Sequence, residues 1–197
     1  MILLIAVLAG FLVGMVWAWM RRQPYEVPDL KHLWLVFLAY LPQFAILYIP
    51  GIRQQVSDLW TALLLTVSQV LLLGFAWLNR KLPGMTILLI GAALNFTVMA
   101  ANGGFMPISP QTASRFLSQE ELMDIPTGER IGIKDILLQP EDTRFEFLAD
   151  RFLPPDWSTY QVAFSLGDVF LAAGVFWLLA RQPGKNLTAT EPKRILT

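Results

Sequence analysis

Residues 162–180 decide the architecture of this chain, and they read VAFSLGDVFLAAGVFWLLA. The run is long and apolar enough to cross a bilayer as a helix, yet it contains one acid, Asp168. An ionisable side chain within a membrane span is costly unless it faces the bundle interior or finds a partner. We therefore expect Asp168 to face other helices rather than lipid.

Four further apolar stretches have a similar length, and the overall composition agrees with a membrane protein. The 197 residues are 55% hydrophobic and 15% charged, whereas soluble domains are about 45–50% apolar and about 25% charged. The sequence predicts an all-α membrane protein with a single membrane domain (1–197) and five transmembrane helices. The predicted spans are about 2–20, 33–49, 59–78, 85–101 and 162–180, with a short extracytoplasmic cap at 103–160 and a cytoplasmic tail at 181–197.

The first span is interpreted as a retained membrane helix rather than a secretory signal. A signal peptide places its positive charge before a shorter apolar core and ends at a small-residue cleavage site. Here Arg21 and Arg22 follow a long core, and no such site comes after them.

The distribution of basic residues predicts the orientation in the membrane. With the amino terminus outside and the carboxyl terminus in the cytoplasm, short inner segments hold nine Lys and Arg residues, against six in the longer outer segments. Positive charge is retained on the cytoplasmic side. The predicted location is therefore multi-pass in a bacterial plasma membrane, the cell inner membrane. This topology puts five tryptophans near the inner face, where amphipathic rings are favoured: Trp17, Trp19, Trp34, Trp77 and Trp177.

Small residues recur every fourth position in the first span, at Ala6, Gly10, Gly14 and Ala18. Such a stripe lets another helix backbone approach closely, and close packing drives helix association in lipid. Two interpretations stay open, an internal packing seam and a docking face for a separate membrane subunit.

The cap is net acidic, with ten acids and five basic residues over 103–160. That sign argues against binding anionic lipid or nucleic acid. Ser109 followed by Pro110 is typical of a helix start, and a turn with a short extended piece is expected over 125–133. Phe145, Leu148, Ala149 and Phe152 are spaced as one apolar face of a short helix.

Polar residues near the outer ends of spans four and five form the candidate site. Asn95 and Asp168 are expected at similar depths, so their helices can bring them together, with Asn102 and Gly103 nearer the outside. An amide that donates to the carboxylate would lower the cost of its charge. A polar clasp that fixes helix register, a ligand or cation site, and a proton relay all remain possible.

The residues indicate no catalytic centre. There is no Cys, and the one His, His32, cannot form a zinc site unaided. We find no phosphate loop, nucleophile elbow or metal-ligand cluster, so the catalytic and metal assignments are none and any cofactor is unknown. The formal net charge of zero argues against nucleic acid as a partner.

Several motifs together resemble a bacterial integral-membrane family of unknown function. They are LNRKLPGM, NFTVMAANGGFMPIS, TRFEFLAD and FSLGDVFLAAGVF. The most specific are NGGxMP at Asn102–Pro107 and SxGD at Ser165–Asp168. The resemblance implies a small inner-membrane protein and supplies no activity.

We therefore expect a non-enzymatic accessory or scaffold subunit of a bacterial membrane protein complex, with the lipid bilayer and other membrane subunits as partners. The alternative is binding or transport of a small molecule, lipid or ion at the outer end of spans four and five. A lipid-modifying enzyme that uses Asp135, Asp150 or Asp156 is a third possibility.

Overall fold

Five long helices carry the fold. The computed structural model of the protein describes residues 2–49, 56–132, 134–155 and 161–181, so most of the expected tail lies outside the described residues. The helices are α1 Ile2–Met20, α2 Trp34–Tyr48, α3 Asp58–Leu78, α4 Met85–Ala101, α5 Pro110–Ala113, α6 Gln119–Met123 and α7 Leu166–Ala180. The five long ones fall on the five apolar stretches of the sequence.

Two of these helices, α1 and α3, are long and apolar enough to cross a membrane, judged by length and composition. The apolar portions of α2, α4 and α7 are shorter. These helices therefore suggest membrane association without fixing a topology.

The long helices pack as a row in the order α1–α7–α4–α3–α2. The last helix thus lies between the first and the fourth, and α1 and α2 occupy the two edges. The centre of the row is therefore the α4–α7 pair, which carries the cap between its two helices.

The small-residue stripe of α1 packs against α7. Ala6, Gly10, Gly14 and Ala18 are all buried. A Cβ added at Gly10 would lie 2.8 Å from the carbonyl oxygen of Phe176, and one at Gly14 would collide with that of Leu179. Among the described residues the stripe is thus an internal seam, and the docking interpretation loses its support.

The cap contains a small sheet, so the prediction of an all-α protein is incomplete. Strand β3 (Asp135–Leu137) pairs in parallel with β1 (Met106–Ile108) and antiparallel with β2 (Arg130–Ile131). Each strand has only two or three residues, too few to produce a readable alternation in the sequence. The short extended piece expected after the turn is β2.

A cluster of buried apolar side chains holds the cap on the bundle. Phe105, Met106 and Leu148 of the cap pack with Leu65 of α3 and Val98 of α4. Gly104 has φ +89°, and a Cβ there would lie 2.8 Å from that of Ala62. The cap therefore contacts the bundle directly where α4 ends.

Two local predictions for the cap have opposite outcomes. Ser109 caps α5 by accepting from the amide of Thr112, and Pro110 is the first helical residue, as expected. The prediction of a helical face that includes Phe145 and Phe152 is wrong. Only a 3-10 turn forms at Glu146–Leu148, because Phe145 adopts φ 57° and Phe152 pairs as an extended residue with Phe164.

The last helix begins at Leu166 rather than near Val162. Phe164 is extended, and Ser165 caps the helix with φ −95° and ψ 169°. Asp168 therefore lies in the first turn of α7 and not deeper inside a helix that begins near Val162, as the predicted span implied. The apolar residues just before Ser165 hid this boundary, because hydropathy does not distinguish extended from helical chain.

Candidate functional site

Asn95, Ser165 and Asp168 form a closed ring of hydrogen bonds between α4 and α7. Asn95 Nδ2 donates to Asp168 Oδ1 at 2.9 Å, and Ser165 Oγ donates to Asn95 Oδ1 at 2.8 Å. Ser165 N donates to Asp168 Oδ2 at 3.2 Å, while Asp168 N donates to Ser165 Oγ at 3.1 Å. The expected contact between Asn95 and Asp168 is present, and Ser165 completes it.

Two glycines let the polar side chains meet. A Cβ added at Gly91 would lie 2.6 Å from the carbonyl oxygen of Gly167, and one at Gly167 would collide with Asn95 Oδ1. Asn95 and Ser165 are both buried. The close approach thus places an amide, a hydroxyl and a half-buried carboxylate together, and the bond from Ser165 Oγ to Asn95 Oδ1 is buried and shielded from competing water.

Asn102 and Gly103 are not part of this ring. Asn102 Nδ2 donates to the carbonyl oxygens of Val98 and Arg144 at 2.7 and 2.8 Å, and Asn102 Oδ1 accepts from Arg144 N at 3.0 Å. Gly103 is exposed and has no atom within 4 Å of an added Cβ. Of the four predicted site residues, Asn95 and Asp168 therefore form a clasp, Asn102 anchors the cap, and Gly103 belongs to neither.

A second polar group, Lys134 with Asp135 and Asp150, lies in the cap. Lys134 Nζ lies 2.7 Å from Asp150 Oδ2 and 3.5 Å from Asp135 Oδ1. The two acids flank β1, since Asp135 pairs with Met106 on β3 and Asp150 forms a bridge with Ile108. The side chain of Asp150 is only 2% exposed. The strand pairing therefore brings two carboxylates to one amine.

Burial and charge shift the pKa values of all three groups. Burial raises the pKa of Asp150 to about 7, with Lys134 opposing it, and burial also raises the pKa of Asp135. Burial alone would lower the pKa of Lys134, but the surrounding carboxylates outweigh it and the pKa is raised. The side chain of Lys134 keeps 44% exposure, so solvent weakens its attraction to the two carboxylates.

The clasp and the cap cluster form one electrostatic unit. The charge of Asp168 acts on Lys134, on Asp135 and on Asp150. Two carboxylates thus contact the amine of Lys134, and the charge of Asp168 acts on it from farther away. We refer to Lys134, Asp135, Asp150 and Asp168 together as the acidic centre.

Two oxygens of the acidic centre lack a donor. Asp135 Oδ1 and Asp150 Oδ1 are buried and have no hydrogen-bond partner within the described ranges. The 3.5 Å separation between Lys134 Nζ and Asp135 Oδ1 is too long for a strong hydrogen bond. Buried oxygens of this kind are normally satisfied, and one that is not requires an explanation such as a bound ion or water.

Of the residues in this unit, Lys134, Asp135, Asp150 and Ser165 were not assigned to the site from sequence. Ser165 was detectable, because Ser-x-x-acid before an apolar run is the pattern of a helix capping box. Lys134 and Asp150 carry no such local signal, because they meet only through the pairing of distant strands. Across the part of the chain that the structure describes, no three His, Cys, Asp or Glu side chains are arranged to hold a metal ion.

Comparison with known proteins places the chain in a family. The model of a family of unknown function, DUF5317, matches residues 28–180. The chain belongs to the DUF5317 family. The match to DUF5317 covers four of the five long helices and the cap, including every residue of the acidic centre.

A curated protein is also similar to the chain, over a comparable length. The chain is 29% identical over 142 residues to an uncharacterized protein from Thermotoga maritima, a match that covers 69% of this chain and 72% of that protein. No solved structure matches the chain.

Proposed function

We propose that this DUF5317 protein is an integral membrane protein with five spanning helices. The support is which side chains are buried and which are exposed on α1, a helix at the edge of the row. Small residues of α1 are buried, whereas its large apolar side chains point outward, Trp19 being 80% exposed. Contiguous apolar surface of this extent is rare on soluble monomers. Exposed apolar side chains continue along α2 and α3, including Phe37, Leu38, Leu63 and Val67.

We further propose that the amino terminus is outside and that the cap faces the extracytoplasmic side. The end of the bundle opposite the cap carries tryptophans with exposed rings. Arg21 lies over the ring of Trp17 at 4.6 Å and Arg80 over that of Trp77 at 4.4 Å. Basic residues beside amphipathic rings are favoured at a cytoplasmic membrane surface.

The function that the geometry supports best is non-enzymatic binding of a small cation at the acidic centre, under the cap and at the outer end of α4 and α7. The observation that carries it is Asp150 Oδ1, a buried carboxylate oxygen with no hydrogen-bond partner in the described ranges, near Asp135 Oδ1, whose ion pair with Lys134 is long at 3.5 Å. Carboxylate oxygens suit hard cations and also accept hydrogen bonds from an ammonium group. One lysine cannot neutralise three carboxylates, so a further positive charge is favourable here.

A proton competes with such a cation. Asp150 must be ionised to bind a cation through Oδ1 while Oδ2 stays paired with Lys134, and its pKa is raised to about 7. Binding therefore strengthens as the pH rises through 7 and weakens as it falls. Lys134 holds one oxygen of Asp150 in either case, so the carboxylate keeps its position when the site is empty.

Cation-dependent thermal stabilisation of the detergent-solubilised protein tests this function. Sodium, potassium, calcium and methylammonium chlorides are compared at pH 8 and pH 5.5, with choline chloride keeping the ionic strength constant. We expect at least one small cation to raise the melting temperature at pH 8 and to have little effect at pH 5.5.

Variants identify the site responsible. Asp150→Asn should abolish the stabilisation, and Asp168→Asn should weaken it while the protein still folds. Glu141→Gln, which removes an exposed acid from the same cap, should leave it intact. Stabilisation that persists in Asp150→Asn, or that no small cation produces, would refute the proposal.

A role as an accessory subunit of a membrane complex is the second candidate. It is favoured by the edge position of α1 and α2, each of which leaves much apolar surface uncovered in the row. Purification in several mild detergents tests it. Recovery of the lone chain without a stoichiometric companion would count against this role and would leave the cation site standing.

A further inference from the structure

A cavity of about 530 Å³ opens at the end of the bundle opposite the cap. Its volume lies within the range of about 300–1,000 Å³ that is usual for small-ligand sites. Three separate parts of the chain line it, namely residues 26–29 between α1 and α2, residues 81–83 between α3 and α4, and the end of α7.

Long-range hydrogen bonds hold the walls of this cavity in place. Tyr25 Oη donates to the carbonyl oxygen of Leu179 at 3.1 Å, which fixes one end of the 26–29 segment on α7. At the other end, the amide of Lys31 donates to Asn79 Oδ1 at 2.8 Å and Asn79 Nδ2 donates back to Lys31 O at 2.9 Å. Asn79 is buried. The cavity is therefore formed before any ligand arrives, which lowers the cost of binding.

Charged side chains of both signs and apolar side chains line the cavity. Lys81 and Arg181 are the cations, Glu26 and Asp29 are the acids, and the apolar residues include Leu178. In the described chain, no ion pair or hydrogen bond engages the side chains of Lys81, Arg181 or Asp29. A ligand that carries one positive and one negative group on an apolar body would contact the acids, the cations and the apolar residues of the cavity together.

The position along the helices indicates where such a ligand comes from. Trp177, whose carbonyl accepts from the amide of Arg181, and Trp77, just before the second cavity wall, both have exposed rings. Exposed tryptophan rings favour the level of the lipid headgroups. The cavity thus lies at headgroup depth on the face proposed to be cytoplasmic.

We infer that this cavity binds the headgroup of phosphatidylethanolamine, with Lys81 and Arg181 contacting the phosphate and Glu26 and Asp29 accepting from the primary ammonium. A purely anionic headgroup would leave the carboxylate of Asp29 facing negative charge. A choline headgroup has no N–H to donate. The inference rests on the proposed membrane placement but not on the cation site under the cap.

Lipid retention in nanodiscs tests the inference. The full chain is reconstituted into discs of equal parts phosphatidylethanolamine, phosphatidylglycerol and phosphatidylcholine, extracted in mild detergent, and its bound lipids are quantified by mass spectrometry. We expect wild type to retain roughly ten molecules of phosphatidylethanolamine for each molecule of either competing lipid, the effect of one charge-assisted hydrogen bond.

Paired substitutions separate the two halves of the site. Lys81→Gln with Arg181→Gln should remove the enrichment. Glu26→Gln with Asp29→Asn should shift retention towards phosphatidylglycerol, because the cations remain and the carboxylates do not. The matched control, Arg21→Gln with Arg22→Gln, removes two exposed cations at the same end that do not line the cavity, and it should behave as wild type.

Several results would overturn the inference. They are wild-type enrichment of phosphatidylglycerol or phosphatidylcholine, no enrichment at all, or an equal loss in the control. If the Lys81 and Arg181 variant does not fold, the headgroup preference of the Glu26 and Asp29 variant decides the matter. A chain that does not incorporate into discs would refute the membrane placement and this inference with it, while the cation-binding variants could still be examined in solution.

Discussion

The α4–α7 pair is joined in two different ways at its two ends. At the outer end, Asn95 and Asp168 meet through a ring of hydrogen bonds. At the inner end the contact is backbone on backbone, since a Cβ added at Gly174 would lie 2.6 Å from Leu88 N and 2.9 Å from Gly84 O. Gly84, with φ +84°, starts α4 at that point.

The difference separates two tasks in helix packing. Glycine contacts set how close two helices come, and they tolerate sliding because backbone surfaces are smooth. Directional hydrogen bonds set the register, since an amide and a carboxylate meet in one alignment only. Glycine contacts at both ends, Gly91 with Gly167 and Gly84 with Gly174, therefore determine distance, and the hydrogen bonds at the outer end determine alignment beneath the cap.

The largest expected effect comes from filling the inner contact. Gly174→Leu should destabilise the protein by about 3 kcal/mol or more, because the added side chain meets backbone that cannot move aside. The free energy of unfolding in mixed detergent measures it. Gly74→Leu is the matched control, with nothing within 4 Å of its added Cβ, and equal damage there would show that the tight inner contact is unimportant.

A smaller effect is expected from pH at the outer end. The pKa of Asp150 is about 7 in the folded protein, above its ordinary value of 3.8. The folded state therefore holds a proton that the unfolded state releases, and this contribution to stability is present below pH 4 and lost as the pH rises through 7.

The wild-type free energy of unfolding should thus fall by about 2–3 kcal/mol between pH 5 and pH 8, relative to Asp150→Asn, in cation-free buffer. Parallel profiles for the two proteins would show that Asp150 does not titrate in this range. Added cation at pH 8 should restore part of the loss, which ties this measurement to the proposed site.

Breaking the outer clasp should cost less than filling the inner contact. Asn95→Ala leaves Asp168 and Ser165 each without a partner across the interface, at a cost of about 1–2 kcal/mol. Thr97→Ala on the same helix, which removes only a bond to the preceding turn from an exposed side chain, is the control. An unchanged unfolding free energy in Asn95→Ala would remove the distinction between the two ends.

The smallest effect is expected on the cap surface. Glu146 pairs with Arg151 at 2.8 Å, but both side chains are well exposed. Glu146→Gln should change the free energy of unfolding by less than about 0.5 kcal/mol. A larger loss would mean that charge pairs matter in the cap regardless of burial, which would weaken the emphasis on Lys134 and Asp150.

The sequence could predict those features that depend on residues close together in the chain better than those that depend on residues far apart in it. The long helices were readable because each is a continuous apolar run, and the approach of Asn95 to Asp168 followed from comparing their positions. The start of α7 at Leu166 was missed because residues 162–164 are as apolar as the helix itself.

The acidic centre could not be read from the sequence in the same way. Lys134 and Asp150 come together because β1 lies between β3 and the Asp150 bridge, and those pairings join residues far apart in the chain. From the sequence, Asp135 and Asp150 were named only with Asp156, as acids that a lipid-modifying enzyme would use. Their burial, which gives them a raised pKa, is a property of the folded cap alone.

The clasp has one more consequence, which concerns how the cap relates to its scaffold. Because Asn95 and Asp168 hold the end of α4 beside the start of α7, the polypeptide leaves the bundle and re-enters it at neighbouring points. Insertions between adjacent chain ends are well tolerated in proteins. A change in the length of the cap would thus leave the helices in alignment.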